Sequence, residues 1–347
     1  MTRRAAALTT VVAALLVVGC RTDDNASPTT PSAPPSTVPA TAAVTSPAPT
    51  STQPTAPTAA SSPATTSEPP VTTASAPCSR AGEPPATYEH VVILVEENRT
   101  WTGGRSAAVG MGFSGGDMPF LEGLADQCSY FTDWAEMDEN ENSLNQYIGL
   151  TSGVKSTTVT NDCDPSATCR STDDNIFRQV RESGGTPRTY VDGAAEPCSV
   201  GDNRAKHIPA LYYQGGDDQR HCADEVRPMS DLDPDRLPTL AFIVPDQCHD
   251  GHDCDDGEVD AWARSTLEPV LDSSAYQRGE VLVVVIYDED RPVPNLFIAP
   301  TANAGPIDTV AGSHAGLMKA VESSLGLPVL DQGQLPSAPD LRTPANV

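Results

Sequence analysis

Three runs of this chain are continuously apolar and rich in β-branched residues: Val91-Val92-Ile93-Leu94-Val95, Leu240-Ala241-Phe242-Ile243-Val244, and Val281 to Ile286. A strand with one wet face alternates apolar and polar side chains. A strand without that alternation must be covered on both faces, as happens in parallel sheets whose crossover helices lie above and below. Leu296-Phe297-Ile298 is a shorter run of the same kind. Between the runs, helical patterns span roughly 118–126, 144–152, 174–183, 258–271 and 313–324. Strands alternating with helices predict an α/β fold: a doubly wound, mostly parallel sheet with helices on both faces. The stretch 155–238 is rich in Gly, Asp, Pro and Cys. It is expected to form long loops and a disulfide-pinned cap.

The N-terminal part has a different composition. Arg3 and Arg4 precede an apolar run from Ala5 to Val18, broken only by Thr9 and Thr10 and too short for a comfortable membrane span. The run ends in Leu16-Val17-Val18-Gly19-Cys20. Basic, apolar, then small residues is the order of a secretory signal, and the last five residues resemble a bacterial lipobox, whose Cys receives lipid. The next segment is almost entirely Pro, Thr, Ser and Ala, and cannot bury enough apolar surface to offset its ordering entropy. The expected organisation is a signal peptide over 1–20 with lipidation at Cys20, a stalk over 21–77, and one domain over 78–347. That places the domain at the extracytoplasmic face of a membrane, held by its lipid and expected as a monomer.

Cysteine and charge counts support this division. Of nine cysteines, removal of Cys20 leaves eight, an even set consistent with disulfides in an exported chain. Local partners are plausible for 163 with 169, 198 with 222, and 248 with 254, which leaves 78 with 128. A zinc site is the alternative for Cys248 and Cys254. The formal net charge is −26, while residues 1–77 hold three basic and three acidic side chains. All the excess negative charge therefore lies on the domain, which disfavours a nucleic-acid partner.

In open parallel sheets, ligands bind beyond the carboxyl ends of the strands. Glu96, Glu97 and Asn98 follow the first run. Asp246, Gln247, Cys248, His249, Asp250, Gly251 and His252 follow the second, and Asp288, Glu289 and Asp290 the third. Oxygen donors suit hard divalent cations, and added imidazoles also admit zinc. Ser143 precedes a helical pattern that closes at Gly153. A helix N-terminus favours anions, so Ser143 is a candidate nucleophile beside a cation; it is equally well placed as an N-cap.

These residues together resemble the bacterial phosphoesterase family that holds non-specific phospholipase C and the secreted acid phosphatases, within the alkaline phosphatase superfamily. The resemblance runs through HVVILVEENRTW (90–101), MPFLEGLADQCSYFTDW (118–134) with SLNQYIGLTSG (143–153), KHIP (206–209), FIVPDQCHDGHDC (242–254), and VVVIYDED (283–290) with SHAGLMKAVESSLGLP (313–328). It implies an alkaline-phosphatase-like fold and hydrolysis of phosphate esters. It further implies Glu97, Asn98, Asp288, Glu289 and Asp250 as ligands of a divalent ion (Ca, Mg, Mn or Zn). Ser143 falls at the nucleophile, His207 and His252 at catalytic imidazoles, and Asn98, Gln146 and His314 at the phosphate. His249 and His90 match no role and are expected to be structural. Glu141-Asn142 and Asn145-Gln146 stand where the family often has His-Pro and Pro-Asn. Those departures motivate a rival reading, a non-catalytic surface lipoprotein that binds a phosphorylated ligand or a cation. Few aromatics and a very acidic domain favour small soluble esters over phospholipid as substrate.

Overall fold

The computed structural model describes residues 76–97, 118–138, 142–159, 161–201 and 203–347. The expected signal peptide, Cys20 and nearly all of the stalk lie outside the described residues, as do Asn98 and Glu141.

The strands are β1 (His90–Glu96), β2 (Ser129–Phe131), β3 (Trp134–Ala135), β4 (Pro187–Val191), β5 (Val226–Pro228), β6 (Leu240–Val244), β7 (Val281–Tyr287), β8 (Asn295–Ile298), β9 (Gly305–Ile307) and β10 (Gly312–Ser313). Eight of them form one sheet in the order β5-β4-β6-β1-β7-β8-β2-β9. Its pairings are parallel except where β8 meets β7 and β2. β3 and β10 pair separately. The three apolar runs are the three central strands, and every residue of β6 and β7 is buried. The fold is the mostly parallel α/β sheet that double-sided burial requires.

Five longer helices accompany it: α1 (Pro119–Gln127), α2 (Ser143–Ser152), α3 (Ile176–Glu182), α4 (Asp256–Asp272) and α5 (His314–Ser324). α1 packs on α4, and α2 on α5. α1 begins with Pro119 and has no cap of its own. Asp260 of α4 supplies one, accepting from the backbone N–H groups of Phe120 at 3.0 Å and Leu121 at 2.9 Å. Such a cap contributes about 1 kcal/mol and locks the two helices in register.

Two sequence expectations change. The 155–238 stretch is not only cap: it contributes β4 and β5 to the sheet edge, with α3 between loops. β4 opens on a proline and carries Arg188, so it lacks the uniform apolar run that marks the central strands. Cys248 and Cys254 form a disulfide, so neither is a thiolate available to zinc. The other pairs are Cys78–Cys128, Cys163–Cys169 and Cys198–Cys222, the plausible pairings.

Candidate active site

Parallel register brings the strand ends to one height. Glu96 lies level with Tyr287, so Glu97 and Asp288 leave the sheet side by side. Backbone bonds continue the alignment past the strands. The Asp288 N–H donates to Glu96 O at 3.0 Å, and the Glu97 N–H donates to Asp250 O at 2.8 Å. The second bond ties the β6 loop to β1, and the Cys248–Cys254 disulfide closes that loop around Asp250.

Helix α2 delivers Ser143 to this edge. Asn142 caps it, its side chain accepting from the Asn145 N–H. Gly153 ends it in the left-handed conformation, at φ 69°. All ten residues of α2 are buried. Gly149 makes that possible, since a β-carbon there would stand 1.9 Å from Met137 Cγ. Ser143 is thus the first residue of a rigid, buried helix. Its Oγ lies 3.3 Å from Glu97 Oε2 and 3.4 Å from Glu289 Oε1, both acceptors for its proton.

Glu97, Asp250 and Asp288 are fully buried. Burial pushes the Glu97 carboxyl up to about 8, with Lys206 pulling it down and Asp250 pushing it further up. Burial, reinforced by Asp290, raises Glu289 to about 7. Burial also raises Asp250, against the opposing effect of the His252 N–H. This many carboxyls in one buried place resist ionising together. An oxygen-only donor set with excess negative charge fits a hard divalent cation, which Glu97, Asp288 and Glu289 would hold.

His207 joins the cluster. Its ring is fully buried, stacks on Tyr147 with centroids 5.1 Å apart, and places Nε2 3.1 Å from Glu97 Oε1. Burial, and then the Lys206 charge, hold it down to about 3, so it is a neutral imidazole at physiological pH. Asp250 positions the loop, accepting from His252 N at 2.8 Å and from Gln247 Nε2 at 3.2 Å.

Three expected site residues have other surroundings. Gln146 spends its amide on the backbone: Oε1 accepts from Met137 N and Nε2 donates to Asp138 O, both at 2.8 Å. It pins the turn before α2 instead of facing a phosphate. His314 is a buried strut. Its Nδ1 accepts from Trp134 Nε1 at 3.0 Å and its Nε2 donates to Asp288 O at 2.6 Å. That fixes its tautomer, and burial lowers it to about 4. It holds the backbone of Asp288 and has no ring nitrogen left for a phosphate. His252 sits on the rim, its side chain 36% exposed and bonded to Asp253 at 2.7 Å.

Two residues escaped the sequence reading. Lys206 Nζ donates to Ser143 Oγ at 3.0 Å and lies 3.4 Å from Asp162 Oδ2. Asp162 Oδ1 in turn accepts from Leu144 N at 3.1 Å. A signal existed for Lys206: the chain has only three lysines, and this one directly precedes His207. Lys206, Asp162 and His252 also line a cavity of about 830 Å³ with Arg204, Gln247 and Asp253.

A second cluster stands at the ends of β4 and β6. Asp192, Asp246 and His249 converge within 4.8 Å, a set able to hold a metal ion. His249, expected to be structural, bonds Asp192 Oδ2 at 2.6 Å and stacks on Trp262 with centroids 5.3 Å apart.

Comparison with known proteins identifies the family. Residues 101–325 match the phosphoesterase family profile, well over half of the chain. The phosphatidylinositol-3-phosphatase of Mycobacterium tuberculosis is 25% identical over 253 residues, covering 70% of this chain and 78% of that one. An acid phosphatase of Aspergillus fumigatus is 25% identical over 144 residues, or 38% of this chain and 32% of the fungal protein. An alkaline phosphatase superfamily structure from Vibrio parahaemolyticus superposes with a TM-score of 0.51 at 12% identity, over 76% of this chain and 74% of the other, a likeness of fold. Taken with the carboxylate-lined strand ends and the serine at a buried helix start, the profile match establishes that the chain belongs to the phosphoesterase family and is a hydrolase of phosphoric ester bonds.

Proposed function

We propose that the domain is a phosphomonoesterase with Ser143 as nucleophile, acting on small phosphate esters with polar alcohol groups. The observation that carries the reading is the triple contact at Ser143 Oγ: Lys206 at 3.0 Å, Glu97 at 3.3 Å and Glu289 at 3.4 Å. A serine that only capped its helix would not draw a lysine and two carboxyl groups onto its hydroxyl. Here Asn142 already provides the cap.

In the first step the Ser143 Oγ–P bond forms and the P–O bond to the leaving alcohol breaks. The hydroxyl proton passes to Glu97 or Glu289, the two acceptors in reach. The leaving alkoxide takes a proton from His252 or from water in the cavity that His252 lines. Water then attacks the phosphoseryl group, the P–Oγ bond breaks, and Ser143 regains a proton. A divalent cation held by Glu97, Asp288 and Glu289 would supply Lewis-acid polarisation of the phosphoryl oxygens. Neutral His207 lies against the Glu97 carboxyl, and His314 donates to the Asp288 backbone and holds it.

The substrate class follows from the cavity. Its lining is polar and charged apart from Val200, Gly201 and Ala205, which favours a polar alcohol over an acyl chain. The mycobacterial relative is named for a phosphate monoester on the inositol ring of a lipid, which supports the monoester part of the reading. Lipidation at Cys20 would hold such an enzyme at the outer face of the membrane. A panel of phosphomonoesters, phosphodiesters and phospholipids, each with Ca, Mg, Mn or Zn, tests the reading. Fast turnover of a soluble monoester is expected. Preferential turnover of a phospholipid diester would overturn the substrate assignment.

A further inference from the structure

We propose that Lys206 is a catalytic residue that orients the Ser143 hydroxyl and receives the dianionic phosphoryl group, with Asp162 as its positioning residue. This rests on the serine reading above. Lys206 donates to Ser143 Oγ at 3.0 Å, while Oγ has carboxylate acceptors at 3.3 and 3.4 Å. The ammonium therefore occupies a lone pair and turns the hydroxyl proton towards a carboxylate. Another lone pair is left to attack phosphorus.

The support around Lys206 is specific. It belongs to a single 3-10 turn, Ala205–His207, whose other two residues are buried. Its side chain is only 14% exposed. Asp162 bridges Lys206 and the second residue of α2, so the lysine and the serine share one anchor. A lysine paired with Asp162 alone would lie on the surface; this one turns inward to the reacting oxygen.

Charge gives the lysine its second role. Glu97, Glu289, Asp162 and Asp250 surround the site, and a phosphate dianion brought to it meets repulsion. The other basic groups lining the cavity are engaged elsewhere: Arg204 Nε bonds Gln247 Oε1 at 2.6 Å, and His252 bonds Asp253. Among the described residues, Lys206 is the cation that touches both the nucleophile and the cavity. A charge-assisted contact to a transferring phosphoryl group is a strong one, and removing such a donor costs about 10²–10³ in rate.

The test uses the full chain and the variants Lys206→Met, Lys206→Gln, Lys206→Arg, Asp162→Asn and Ser143→Ala. Turnover is measured on p-nitrophenyl phosphate and methyl p-nitrophenyl phosphate, and orthophosphate affinity by calorimetry. Lys206→Met should lower kcat/KM for the monoester about 10²–10³-fold and weaken orthophosphate binding. The methyl diester, with one charge fewer, should lose less. Lys206→Arg should recover part of both, and Asp162→Asn should lower kcat at unchanged Tm, with Lys206 present but unanchored. Wild-type kcat/KM and orthophosphate affinity in Lys206→Met would overturn the proposal. If that variant does not fold, undiminished kcat/KM and orthophosphate affinity in Lys206→Gln would overturn it. Active Ser143→Ala would sink the serine reading instead, and the orthophosphate measurements would still decide the role of Lys206.

Discussion

Two clusters at the same sheet edge contain similar residues and differ in what surrounds them. At the ends of β1 and β7 stand Glu97, Asp288 and Glu289 beside His207. At the ends of β4 and β6 stand Asp192 and Asp246 beside His249. In the first, Glu97, Asp288 and His207 are buried and Glu289 is half-buried, and burial raises the Glu97 and Glu289 carboxyls. The second is partly exposed and satisfied from within. Asp246 Oδ1 accepts from the N–H groups of Cys248 and His249, both at 2.9 Å, and Asp192 accepts from the His249 ring. Residue type alone does not separate them. Burial makes one a store of poised charge, and solvent and hydrogen bonds make the other a loop anchor.

The contrast predicts a large functional asymmetry. Glu97→Gln should lower kcat about a thousandfold, while Asp246→Asn should change it less than about tenfold. Steady-state kinetics on a soluble phosphomonoester decides this, and equal losses would erase the distinction between the clusters. Chelation followed by metal add-back sharpens the comparison. Activity loss and recovery should follow metal content in wild type and in His249→Ala alike, if the buried cluster is the one that matters.

Next in size is the strut behind the buried cluster. His314→Ala should cost about 3 kcal/mol, by leaving a cavity and the Trp134 indole N–H without its acceptor. Denaturant unfolding measures it. Undiminished stability with a selectively raised KM would restore His314 as a phosphate ligand. The Cys248–Cys254 disulfide closes a short loop, and its replacement by two serines should cost about 2 kcal/mol and lower kcat, since the loop carries Asp250.

The last effect is on stability alone. Glu322 of α5 is buried, and burial raises it to about 7. A carboxyl raised in the folded state binds its proton more tightly there than in the unfolded chain. Its contribution is therefore fully present below pH 4.5 and is lost as pH rises to about 7. Glu322→Gln should flatten the fall in Tm over that window. An unchanged pH profile would remove Glu322 as its source.

The sequence showed best those features that burial makes unambiguous. β1, β6 and β7 were legible because strands covered on both faces admit no polar alternate, and Glu97, Asp288 and Glu289 were legible because they end such strands. β4 was hidden by Pro187 and Arg188, and β5 by being three residues long. Gln146 and His314 fell in matching motifs, but only the fold shows that their hydrogen bonds are spent on Met137, Asp138, Trp134 and Asp288. Lys206 and Asp162 lie in loops where a charged residue ordinarily faces water. Only the folded chain brings Lys206, 63 residues after Ser143, and Asp162, 18 residues after Leu144, onto the first turn of α2.

Ser143 as the nucleophile is the central claim. The most direct measurement is kcat/KM of purified Ser143→Ala on p-nitrophenyl phosphate, with the metal that activates the wild type and with its Tm matched to wild type. A loss of about a thousandfold or more is predicted. Undiminished turnover would contradict the account, whatever the remaining residues of the cluster do.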